Sequence, residues 1–147
     1  MLVHRFMSVL NPLISQLDSV LHTMAYVRLH SAFLFTTMLA TTAKMFCPSV
    51  HPALHRHAET LMANCFMRGE KSPEIAQAMM IMTYWKEPDD TRAWLLIGYV
   101  IRMGMDLGWH LCAHRPIQDG VARDGQKQRE LRNIQRTWYV LFVYDRR

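Results

Sequence analysis

Residues 31–46 read SAFLFTTMLATTAKMF, and this stretch decides the fold. Phe33, Leu34, Phe35, Met38, Leu39, Ala40, Ala43, Met45 and Phe46 surround a helix on almost every side, the pattern of a buried helix rather than a surface one. Ser31 suits the N-cap, because its hydroxyl can accept a first-turn N–H. Pro48 and Pro52 punctuate the far end. A helix buried all round needs other elements to cover it, so the remaining sequence is read for its cover.

Upstream, Pro12 interrupts the opening segment, and Leu13, Leu17, Val20, Leu21 and Met24 then recur at helical spacing. Downstream, a helix starting near Pro52 is expected to stop at Gly69, a residue suited to a left-handed cap. Ser72-Pro73-Glu74 is a strong start signal: a capping hydroxyl, a proline at the first helical position and an acid on the helix dipole. That helix carries Ile75, Met79, Met82 and Trp85 on one face. Asp89-Asp90 opens the most apolar helix, 91–107, which only Arg92, Arg102 and Asp106 interrupt. It is expected to be central and to end at Gly108. Residues 115–128 read as a polar loop with Gly120 and Gly125.

A last helix is expected from about Arg129, with a core stripe of Leu131, Ile134, Trp138, Leu141 and Phe142 opposite Arg129, Arg132 and Arg136. Beyond Val140 it is apolar all round, so it is expected to enter the core there, or to leave a sticky surface if nothing covers it. No stretch shows two-residue alternation bounded by turn residues. The fold class read from these patterns is all-α: an irregular multi-helix bundle with buried central helices and no sheet, one domain over 1–147.

Composition agrees and excludes several classes. Half of the 147 residues are hydrophobic and 20% are charged, the balance of a folded chain rather than a disordered one. The longest uncharged stretch, 29–43, is shorter than the ~20 apolar residues of a spanning helix. Three widely spaced cysteines form no disulfide framework and fit a reducing, intracellular compartment. The net charge of +5 is spread along the chain, with no polybasic tract. Direct specific nucleic-acid contact is therefore not expected.

Candidate chemistry is sparse. His51, His55 and His57 precede Glu59, and His110, Cys112 and His114 form a second group. Neither has a fixed partner pair elsewhere, as zinc would require, so surface and cap roles are the better reading. Cys47, Cys65 and Cys112 contain no CxxC. No acid–base pair, phosphate-cradling glycine loop or nucleophile elbow is present, and the reading is non-enzymatic. Twelve methionines read as core filling. Gly98 and Gly104 lie inside a helix, where each costs ~1 kcal/mol against alanine, so close helix–helix approach is expected at both.

Three segments together resemble the regulatory middle homology region of fungal zinc-cluster transcription factors. They are SAFLFTTMLATTAKMF, the pair SPEIAQAMMIMTYW and WLLIGYVIRMGMDLGWH, and RTWYVLFVYDR. The resemblance runs over 31–147 and falls on Gly108, His110, Arg136, Trp138, Asp145 and Arg146. It implies an all-α regulatory domain, a nuclear location, and an attached DNA-binding module whose six cysteines hold two zinc ions. No cofactor is implied for this segment. Small-molecule effectors or co-regulator proteins are the partners it implies. Gln135 stands where the family often has arginine, and Tyr139 where it often has a second tryptophan. The family continues past Asp-Arg with a Gly-Arg-Pro segment, so the chain is expected to be the first part of a longer domain. The alternative reading is a stand-alone helical domain binding a small molecule or a protein.

One structural expectation is specific. Leu131, Trp138 and Asp145 are spaced by seven and share the core stripe. A carboxylate there needs a partner, and Arg102 is the preferred one, forming a buried ion pair; His110 is the alternative.

Overall fold

The computed structural model describes residues 1–114 and 125–146. In chain order the elements are α1 (Leu2–Arg5), a π-helical stretch (Phe6–Leu10), α2 (Asn11–Ile14), α3 (Met24–His30), α4 (Ala32–Phe46), α5 (His51–Arg68), α6 (Pro73–Tyr84), α7 (Ala93–Asp106), α8 (Trp109–Cys112) and α9 (Gly125–Asp145). No strand occurs among the described residues. The all-α expectation holds. Of the expected polar loop, 125–128 belong to α9, and 115–124 lie outside the described residues.

Local chemistry sets the boundaries. The hydroxyls of Thr23, Ser31 and Ser72 accept from the N–H groups of Tyr26, Leu34 and Ile75, capping α3, α4 and α6. Gly69 takes the left-handed conformation at φ 65°, and Glu70 N–H reaches back to the Cys65 carbonyl, closing α5. The start of α7 is held by Asp90, whose carboxylate accepts from both the backbone N–H and the guanidinium of Arg92. Those side-chain bonds hold the Asp90 carboxyl at about 2.

Helices α4 and α6 form the centre. α4 packs against α1, α3, α5 and α6; α6 packs against α4, α5, α7 and α9. Phe6, Leu34, Met38, Met79 and Ile81 are fully enclosed between them and the opening helix. Phe6 meets Trp85 edge to face, with ring centroids 6.2 Å apart.

Two expectations about burial are overturned. Helix α7 is not central: Ile97, Val100, Met103 and Gly104 face inward, but Trp94 is 80% exposed and Leu95 67%. Its apolar residues occupy two faces, and α6, α8 and α9 cover only one of them. The end of α9 does not enter the core either. Leu141 is buried, but Phe142 and Val143 are half-exposed.

Candidate functional site

Three of the six residues named by the resemblance, Gly108, His110 and Trp138, gather where α7, α8 and α9 meet. Gly104 lies on the buried face of α7, against Trp138 from α9 and Trp109 from α8. A methyl there would approach Trp138 Cζ3 to 2.7 Å and Trp109 Cε3 to 2.8 Å. This is the close approach expected of a helix-interior glycine. Gly98 does not make one, since a methyl there would meet only the flexible Arg102 Nη1, at 3.3 Å. Gly108 turns the chain at φ 72°, in the left-handed region, and so aims α8 back along α9. His110 tilts against Trp138 with ring centroids 6.3 Å apart.

The two residues at which the sequence departs from the family pattern both hold α8 in place. Gln135 Nε2 donates to the Cys112 carbonyl at 3.0 Å, and Tyr139 OH donates to the Ala113 carbonyl at 3.0 Å. Arg136 reaches the other way, 3.7 Å from Asp18 in the segment between α2 and α3. Arg146 lies over the Phe142 ring, 4.2 Å from its centroid.

Beside this corner runs a buried polar seam that the sequence did not announce. Gln77 on α6 is fully enclosed, and its Nε2 donates to Asn133 Oδ1 at 2.8 Å and Thr137 Oγ1 at 2.9 Å on α9. The Thr137 hydroxyl donates in turn to the Asn133 carbonyl. From the opening segment, Gln16 Nε2 donates to the Gln77 carbonyl at 3.2 Å. Gln16 is delivered by a strained turn: Ser15 takes φ 51°, and the Asn11 side chain brackets Leu17 with two bonds of 2.8 Å.

His22 completes the seam. Its Nδ1 lies 3.0 Å from the Asp18 N–H, while Nε2 and Gln77 Oε1 are buried without a hydrogen-bond partner among the described residues. Burial lowers the His22 pKa, against the opposing pull of the Asp18 backbone and Glu74. At neutral pH its imidazole is uncharged. Asp18 is raised by burial but lowered more by the Val20 N–H and Arg136, and it stays ionised. Burial, then Glu74, pushes the Tyr26 phenol up to about 12, so it donates to the Glu74 carboxylate.

The expected buried pair of Arg102 and Asp145 is not formed. Both side chains are exposed, and Arg102 Nη1 donates instead to the Gly98 carbonyl at 3.2 Å. They line the same groove, about 460 Å³, with Trp94, Leu95, Gly98, Ile101 and Met105. The groove separates the end of α9 from α7, so each charge keeps its water and needs no internal partner.

A second cleft, about 620 Å³, opens between α4, α5 and α6. Phe33, Leu61, Cys65 and Ile75 form its apolar wall, and Asn64, Arg68, Glu70 and Lys71 its rim.

The histidine groups do not converge. His51 Nδ1 lies 2.9 Å from the Ala40 carbonyl, and His55 Nε2 lies 3.6 Å from Glu59. Cys47 is exposed, Cys65 buried and Cys112 half-buried. Among the described residues no three His, Cys, Asp or Glu side chains come together to hold a metal. Nor is any described helix long and apolar enough to cross a membrane.

Comparison with known proteins gives this arrangement its context. Residues 3–147 match the fungal specific transcription factor domain, a match that begins well upstream of residue 31. Protein priB of Lentinula edodes is 34% identical over 140 residues, which are 93% of this chain and 22% of that protein. The chain thus spans about a fifth of the length of that relative. No solved structure matches.

Proposed function

The chain belongs to the fungal-specific transcription factor domain family, and from that membership we propose that it is the regulatory, non-DNA-contacting part of a nuclear factor controlling RNA polymerase II transcription. The observation that carries this reading is the family match over 3–147, which takes in all the described helices but for the first residue of α1. The attached module, with its six cysteines and two zinc ions, would supply sequence recognition. This segment would contribute no metal, no catalysis and no base contacts. What it offers instead is a packed α-helical body with open apolar surfaces.

The α4–α6 cleft is the place we assign to an effector or co-regulator. Its volume falls in the range of ligand sites, and its apolar wall with a charged rim combines burial with orientation. Deleting 3–147 from the full-length factor should leave promoter occupancy intact while changing transcript output. The purified chain should retard DNA only through salt-sensitive phosphate contacts. Sequence-selective, nanomolar binding by the chain alone would refute the reading, as would unchanged transcription after the deletion.

A further inference from the structure

We propose that α5 is a hinged flap that swings off α4 as a unit and so gates the α4–α6 cleft. Its purpose rests on the reading of that cleft as an effector site; the motion itself follows from how α5 is held. Helix α5 runs for 18 residues, yet only Ala58 and Cys65, both small, are buried. Nine of the 15 residues of α4 and nine of the 12 of α6 are buried. Leu61 and Met62 add partly buried contacts to the α5 side. Packing of apolar side chains is what holds a helix in a fold, so α5 is anchored far more weakly than the two helices beside it.

What lies beneath α5 favours its release. Thr37 and Thr41 of α4 share a cavity of about 20 Å³ with His55 and Ala58 of α5. Thr37 is 1% exposed, and its Oγ1 has no hydrogen-bond partner among the described residues. A hydroxyl shut away unpaired makes the closed position less favourable, and water pairs it once α5 lifts.

Both ends of the helix are suited to turning. Residues 47–50 before it are exposed, and no side chain caps its first turn. After it, Gly69 takes φ 65° with open space where a Cβ would lie, and residues 69–71 are exposed. Between these ends α5 is fastened by clasps at its rim. His51 Nδ1 donates to the Ala40 carbonyl at 2.9 Å, Glu59 accepts from Arg92 at 2.9 Å, and the Phe66 ring lies 5.1 Å from that of Tyr99. Exposed ion pairs contribute little each, so such clasps open and re-form readily. Leu61 and Cys65 form the α5 side of the cleft, so a swing of α5 away from α4 widens it.

Hydrogen exchange of the purified chain, read by mass spectrometry at urea concentrations below unfolding, tests the flap. Amides across 55–68 should exchange at least about tenfold faster than those of α4 and α6, as one group and with weak dependence on urea. Arg92→Ala should speed that group by about threefold and leave α6 unchanged. Thr37→Val removes the unpaired hydroxyl and should slow the group by about threefold. With Cys47→Ser and Cys112→Ser in place, modification of Cys65 by an aromatic disulfide reagent should speed with Arg92→Ala by the same factor, because the cleft opens with the helix. Exchange of α5 in step with α4 and α6 overturns the flap. So does fast exchange confined to the two ends of the helix, or faster exchange in Thr37→Val. A Cys65 rate indifferent to Arg92→Ala overturns the gating. None of these readouts needs an effector, so their failure is distinct from failure of the effector reading, which transcript output tests.

Discussion

Gly104 and Gly98 sit six residues apart on one helix, and the same substitution should have opposite effects at the two. Alanine at either position gains ~1 kcal/mol of helix propensity. At Gly104 the new methyl meets three indole carbons, at 2.7, 2.8 and 3.0 Å, contributed by Trp138 and Trp109. Neither ring can yield freely, because Trp109 is buried in α8 and Trp138 is clamped between Gly104 and His110. Overpacking of this kind costs about 1–3 kcal/mol, and the upper half of that range fits contacts with two rigid rings. The net expectation for Gly104→Ala is a loss of about 1–2 kcal/mol. At Gly98 the only neighbour is a guanidinium tip that can swing away, so Gly98→Ala should gain about 0.5–1 kcal/mol.

The measurement is urea unfolding followed by circular dichroism at low micromolar concentration, where association does not contribute. The two variants should separate by about 1.5–3 kcal/mol, with the wild type between them. Each kcal/mol corresponds to roughly 2–4 °C in melting temperature for a domain of this size. Equal effects at the two sites, or a stabilised Gly104→Ala, would show that α7 and α9 are not held at the distance described and would refute the packing argument.

The polar seam gives a second prediction: Gln77→Leu should cost about 1–3 kcal/mol, because Asn133 Oδ1 loses its donor inside the core, and no change in unfolding midpoint would contradict this. His22 gives a third. Its folded pKa lies below the ordinary 6.5, so the unfolded chain binds the proton first. Stability should be full above pH 6.5 and fall as pH drops below it, by at most ~1.4 kcal/mol per unit, until the folded group also titrates. His22→Gln should flatten this part of the profile, and an unchanged slope would assign it elsewhere. Ser72→Ala removes the hydroxyl that accepts the Ile75 N–H and should cost about 1 kcal/mol by thermal unfolding, with little effect if the cap is dispensable.

The helices themselves were legible because their signals are local. Ser31, Ser72 and Gly69 act on backbone groups within a few residues, and the apolar girdle of α4 needs no knowledge of what surrounds it. The misreading of α7 has a different origin. A helix can be rich in apolar residues because it is buried on all sides, or because it is buried on one side and offers the other to a partner. Composition is the same in both cases. Trp94 and Leu95 are as apolar as Ile97 and Val100, and only the positions of α6 and α9 distinguish them.

The seam was illegible for a further reason, and it explains the error on α9. A buried glutamine can be recognised only together with its partners, and Gln77 is 56 residues from Asn133 and 60 from Thr137. Read singly, each is an ordinary polar residue that belongs at the surface. Paired, they become the edge by which α9 lies on α6: Asn133, Thr137 and Leu141, spaced by four, are buried there, while the fourth buried position, Gln135, faces α8. The apolar stripe chosen from sequence, Leu131, Ile134, Trp138, Leu141 and Phe142, shares Leu141 with this edge but is centred about a quarter turn away on the same helix. Directional hydrogen bonds can set helix rotation more sharply than apolar contact, because an unmade bond inside the core costs about 1–3 kcal/mol while a half-buried leucine loses little by sliding. Once the seam fixes the rotation of α9, Trp138 is turned toward Gly104, Asp145 toward the groove, and Phe142 toward solvent. The exposed apolar surface beside α7 thus follows from the polar interior of the α6–α9 contact, and substitutions at Gln77 should disturb both together.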